Sequence, residues 1–85
     1  MLEKLDRIKQ ETLAALAKVE DEGGLDQWRL LHLGRSSAIM DVFKNMGSIP
    51  QSDRGMVGRT ANQVKGAMEA ALTEKTEAMR QAALE

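Results

Sequence analysis

The sequence predicts an all-α protein, an antiparallel helical hairpin or coiled-coil arm with a short helical cap at its tip. Three observations predict it. Apolar residues make up 42% of the 85, yet only Trp28 and Phe43 are aromatic, and a chain dominated by alanine, leucine, methionine, lysine and glutamate has the makeup of long helices. Apolar residues recur at alternating steps of three and four near both ends of the chain, the spacing of one helix face. The strongest punctuation, Gly23-Gly24, Gly34 and Gly47 to Pro50, falls between those periodic stretches, where a helical chain turns. At this length the chain is one small domain whose hydrophobic core is barely sufficient.

The first helix is expected over 2–20. Met1, Leu5, Ile8, Thr12, Ala15 and Val19 form its stripe, widened by Leu2 and Leu16, and Asp21 to Gly24 ends it. Leu25 to Leu33 carries Leu25, Trp28, Leu31 and Leu33, and periodicity alone leaves it open between one or two helical turns and an extended stretch. Gly34 to Ser37 reads as a turn with a serine cap, and Ala38 to Met46 as a short helix burying Ile39, Val42, Phe43 and Met46. Gly47 to Gln51 reads as a loop opened by a C-cap glycine. The last helix is expected from an N-cap at Ser52 to about Leu84, with the stripe Val57, Ala61, Val64, Met68, Ala71, Lys75, Ala78 and Ala82 supported by Leu72 and Met79. The first helix and the short helix together nearly match its length of roughly 50 Å. The expected hairpin therefore brings Met1 near Glu85 at the base and puts 25–65 at the far end. The pattern runs to Glu85 without a cap, so a domain boundary inside a continuing helix is expected.

Chemistry narrows the function. Without cysteine there is no disulfide framework or thiolate metal site, and a cytosolic protein is the simpler reading. No apolar run is long enough for a membrane span or a signal segment. His32 is the only histidine, so no histidine pair can hold zinc, and neither a phosphate-binding loop nor a dinucleotide fingerprint is present. Enzymatic activity within these residues is not expected, and no catalytic or metal-binding residue is assigned.

Charge is the more informative signal. The net charge is −1, but it divides into −3 over 1–26, +4 over 27–66 and −2 over 67–85. A basic middle between acidic ends points to a polyanion better than the average does. The cations Arg29, Arg35, Lys44, Arg54, Arg59 and Lys65 come from separate segments that the hairpin gathers. They would contact phosphates with little sequence reading and strong salt dependence. Arg54, Gly58, Asn62 and Lys65 fall at steps of four, four and three, one side of a helix that carries contacts rather than core. Gly58 and Asn62 are expected to pack against the Gly34 turn and the short helix, with Asn62 bonding backbone there, and Trp28 and Phe43 to fill the tip's core. Two readings stay open on residues alone: a nucleic-acid surface, or a charged exterior on a helical hairpin that docks a protein.

The run Leu33-Gly34-Arg35, a short apolar helix, Met46-Gly47-Ser48-Ile49-Pro50, and then Arg54, Gly58, Asn62 and Lys65 in a long helix resembles the N-terminal domain of the bacterial phenylalanyl-tRNA synthetase alpha subunit. The resemblance covers essentially the whole chain, 1–85. It implies a coiled-coil arm that binds and positions tRNA(Phe) within an alpha-beta heterotetramer, with the beta subunit and a second alpha-beta pair as partners. Aminoacylation with ATP, magnesium and phenylalanine would belong to a separate class II catalytic domain. By position and charge Arg35, Arg54, Arg59 and Lys65 are then the first tRNA-contact candidates, followed by Lys44 and Arg29. Ser36 and Ser37 stand where the family has a second basic residue and a glycine, so the turn carries one cation fewer, though a serine hydroxyl can still donate to phosphate.

Overall fold

The computed structural model describes residues 2–84. In chain order it contains α1 (Leu2–Ala17), α2 (Glu22–Leu33), α3 (Ala38–Lys44), a 3-10 turn (Met46–Ser48) and α4 (Gln51–Leu84). The expected all-α fold is what forms. The molecule measures 52 × 19 × 14 Å, and α4 alone, 34 residues at about 1.5 Å each, accounts for the long dimension.

Leu5, Ile8, Thr12 and Leu16 form the buried stripe of α1, and the expected contribution of Met1 lies outside the described residues. The helix ends at Ala17 rather than Glu20. Its last turn tightens as the Lys18 and Val19 amides donate three residues back, to the Ala15 and Leu16 carbonyls at 3.2 and 3.1 Å. The Lys75 ammonium donates to the Ala17 carbonyl at 3.3 Å. A lysine at a core-register position of α4 thus becomes the C-terminal cap of another helix, where a cation also meets the negative end of the helix dipole.

The glycine pair expected to end the first helix instead lies in the first turn of α2. Asp21 caps that turn, its carboxylate accepting from the Gly24 amide at 2.7 Å. Gly24 suits this place because a β-carbon there would lie 2.9 Å from Val19 Cγ1 and 3.2 Å from Asp21 Oδ1. The stretch left open between helix and extended chain is therefore a 12-residue helix. At its far end a β-carbon on Gly34 would overlap the Leu30 carbonyl oxygen, so only glycine lets the chain leave α2 along this path. Ser37 caps α3 as expected, accepting from the Met40 amide at 3.4 Å and donating to the Gly34 carbonyl at 2.6 Å.

The short helix stops at Lys44, two residues before the expected end, with Asn45 rather than a glycine as its C-cap. No described glycine has positive φ, so Gly47 sits inside the 3-10 turn instead of opening a loop in the left-handed conformation. Likewise Ser52 lies within the first turn of α4. The Pro50 carbonyl takes the capping place, accepting from the Asp53 and Arg54 amides at 2.9 and 3.0 Å.

The hairpin is made by α2 and α3 running against α4. Glu22 and Asp26 lie beside Thr76 and Arg80, Leu33 lies beside Lys65, and the Met46 methyl lies beside Gly58. The first helix does not extend that arm, contrary to expectation. Leu2, Asp6 and Lys9 lie beside Thr60, Gln63 and Val64, while Leu16 and Ala17 lie beside Ala71 and Lys75, so α1 runs alongside α4 in the same direction. The chain had already reversed at Asp21, which leaves α2 to make the return. The expected meeting of Met1 and Glu85 falls outside the described residues. Leu5, Ile39, Val42, Ala61 and Met68 form the centre of the core, each almost fully buried.

The glycines of α4 are not required by packing. A β-carbon on Gly55 or Gly66 would meet nothing within 4 Å, and alanine is favoured over glycine in a helix interior by about 1 kcal/mol. Gly66→Ala should therefore raise the thermal midpoint by roughly 4–8 °C, measured by circular dichroism.

Candidate nucleic-acid interface

The face Arg54, Gly58, Asn62, Lys65 flanks the buried stripe Val57, Ala61, Val64, Met68 of α4, and its members do different work. The Arg54 guanidinium donates to the Ile49 and Gly47 carbonyls at 3.1 and 3.4 Å. It fastens the 3-10 turn to the start of α4. Asn62 does not reach the backbone of the tip: its amide donates to the Gly58 carbonyl at 3.0 Å, one turn back in its own helix, a distance the helical repeat supplies to any exposed polar side chain. Gly58 faces the 3-10 turn rather than the Gly34 turn, and a β-carbon there would meet only Met46 Cε, at 3.9 Å, an ordinary contact.

Lys65 looks toward α3. Its ammonium lies 6.0 Å from the centre of the Phe43 ring, within cation–π range, and 3.8 Å from Glu69 Oε1. Beside this pair a shallow groove runs between α2 and α4, lined by the half-buried Leu33, Met40 and Leu72 and by Arg29, Lys65 and the exposed Leu30. The groove continues past Gly34 to Phe43, where Arg35 and Lys44 stand at the edge. Lys44 donates to the Arg35 carbonyl at 2.9 Å, which ties the turn after α2 to the end of α3. Arg29 and Lys65 thus line one stretch of the groove and Arg35 and Lys44 the next, the two meeting at Leu33, Gly34 and Met40.

Two of the six candidate cations lie elsewhere. Arg54 is engaged with the 3-10 turn. Arg59 is exposed, and its place two residues after Val57 and two before Ala61 puts it on the side of α4 opposite the buried stripe.

The aromatic residues separate too. Trp28 is 3% exposed, and its indole N–H donates to the Thr12 carbonyl at 2.8 Å. It joins α2 to α1, away from the tip that was expected to bury it, because α2 is a full helix whose inner face meets α1. His32 packs on it with ring centres 5.4 Å apart. Phe43 is half-buried at the groove edge.

Sequence reasoning missed two groove residues. Leu30, 70% exposed, signals itself only once Leu25 to Leu33 is known to be helical, since Leu30 and Leu31 then point away from the core. Glu69 reads as an ordinary surface carboxylate until Lys65 is placed. Among the described residues no group of three or more histidine and carboxylate side chains is placed to hold a metal, and no helix is long and apolar enough to cross a membrane.

The model of the family described as "Aminoacyl tRNA synthetase class II, N-terminal domain" matches residues 20–85, the part of the chain that contains the hairpin and the groove. The chain is 37% identical over 84 residues to the phenylalanine–tRNA ligase alpha subunit of Dechloromonas aromatica, covering 99% of this chain and 24% of that protein. It is 33% identical over 84 residues to that of Oceanobacillus iheyensis, with the same coverage. With the alpha subunit of Acinetobacter baylyi the identity is 37% over 81 residues, 95% of this chain and 24% of the relative. The chain thus spans about a quarter of the length of these curated relatives. With the family model matching most of the helical hairpin, the chain belongs to the N-terminal domain family of class II aminoacyl-tRNA synthetases.

Proposed function

We propose that this chain is the tRNA-binding arm of a phenylalanine–tRNA ligase alpha subunit, holding tRNA(Phe) while a separate catalytic domain carries out ATP-dependent aminoacylation. The observation that carries the reading is the gathering of Arg29, Arg35, Lys44 and Lys65 about one groove. Cations converging from three helices onto one surface suit the phosphates of a folded RNA, where backbone contacts fix orientation without reading bases. The names of the relatives supply the ligase and the amino acid. On this reading the arm works in the cytoplasm as part of an alpha-beta heterotetramer, and its contribution is positioning. On the same reading ATP and magnesium serve the catalytic domain.

The isolated chain should bind tRNA weakly, with log affinity falling linearly as log salt rises, in a filter or fluorescence titration between about 50 and 200 mM salt. Binding that does not change with salt would overturn the reading. It would favour the second one, a hairpin that docks a protein, which has its own support in Leu30 and Leu31, 70% and 67% exposed.

A further inference from the structure

We infer that Glu69 weakens RNA binding by design: it is a carboxylate built into the basic groove, and an incoming phosphate must displace it from Lys65. The inference rests on the reading of the groove as an RNA surface. Lys65 Nζ and Glu69 Oε1 lie 3.8 Å apart, with side chains 36% and 56% exposed. Both face the groove, and Glu69 is the one carboxylate among its described lining residues. The Phe43 ring lies 6.0 Å from the same ammonium, within cation–π range.

Helix stability does not explain the pair. Lysine preceding glutamate by four residues is the less favourable order, since the better arrangement puts the glutamate first, and an exposed pair of this kind contributes little in any case. Its position does explain it. A phosphate entering the groove meets a lysine whose charge is already balanced and a carboxylate of its own sign beside it. When the phosphate takes Lys65, the freed Glu69 stays beside it as a like charge. A lone phosphate is poorly held by such a groove. An RNA that engages Arg29 and Arg35 at the same time can displace Glu69, so the carboxylate favours extended ligands and speeds release.

The test is a tRNA titration of the chain and four variants. Glu69→Gln should bind tRNA two- to five-fold more tightly at low salt, a gain that shrinks as salt rises, with unchanged helicity by circular dichroism. Glu77→Gln removes the same charge two turns further along α4, roughly 12 Å away and beyond the screening length at physiological salt. It should gain less than Glu69→Gln does at low salt, and nothing at physiological salt. With Lys65→Gln in place, adding Glu69→Gln should no longer raise affinity to the same extent, the non-additivity expected of a direct pair. Equal behaviour of Glu69→Gln and Glu77→Gln, or a gain that survives loss of Lys65, overturns the inference. Salt-dependent tRNA binding by the parent chain with a silent Glu69→Gln removes this inference alone, whereas absence of such binding removes the RNA reading and the inference together.

Discussion

Trp28→Ala is expected to unfold the domain or leave it barely folded. The indole is 3% exposed and lies where α1 meets α2, and removing a buried aromatic of this size costs about 3–5 kcal/mol. A chain of this length commands roughly 4–13 kcal/mol in total, so the loss takes about a quarter of the stability or more. The hydrogen bond can be separated from the packing. Trp28→Phe keeps most of the ring volume but lacks the N–H that donates to the Thr12 carbonyl at 2.8 Å, a loss of roughly 1 kcal/mol. Urea denaturation followed by circular dichroism checks both, since the only tryptophan is no longer there to report. A Trp28→Ala protein with an unchanged midpoint would mean that α1 is not held to α2 in this way.

Replacing Arg29, Arg35 and Lys65 together by glutamine should abolish most of the salt-sensitive tRNA binding. Each phosphate contact contributes about 0.7–0.9 to the slope of log affinity against log salt, so the triple variant should lose roughly two to three units of slope with little change in melting temperature, because none of the three donates to a loop carbonyl in the structure. Lys44 is left in place because its ammonium holds the Arg35 carbonyl. Two single variants separate binding from scaffolding. Arg54→Gln should lower the melting temperature, since it releases the Ile49 and Gly47 carbonyls, while leaving the salt slope nearly intact. Arg59→Gln should change neither, as its side chain stands on the far side of α4. A triple variant that binds as the parent does, or a large slope loss on Arg59→Gln alone, would move the RNA surface away from the groove.

The same residues show what could be read without coordinates. Val57, Ala61, Val64 and Met68 were legible as a core stripe because a helix repeats every 3.6 residues whatever it packs against, and Ser37 as a cap because its bonds are to neighbours in the chain. Asp21 misled because a capping carboxylate and a pair of glycines are compatible with either the end of one helix or the start of the next. The difference is decided by Val19 Cγ1, whose closeness to Gly24 exists only after the chain has turned. Lys75 looked like a flaw in an apolar register for the same reason: its partner, the Ala17 carbonyl, is 58 residues away in sequence.

The candidate site divides along the same line. The six cations of the middle segment were all visible as charges, and position and charge ranked Arg54 and Arg59 with Arg35 and Lys65. Sequence position cannot show that Arg54, though exposed, fastens a turn through Nη2, which donates to the Gly47 and Ile49 carbonyls. Nor could it join Arg29 to Lys65, which are brought together only because Leu25 to Leu33 is a helix lying against α4.

The sequence by itself determined that this protein is helical, where its long helix is buried, that its middle is basic, and the family it resembles, because periodicity, composition and charge are properties of neighbouring residues. Only the tertiary structure decided that α1 runs with α4 rather than against it, that Trp28 joins α1 to α2, and that four cations and one carboxylate share a groove. Those facts depend on which helix faces are left to cover one another once the chain reverses at Asp21, and that choice is made by burial over the whole molecule.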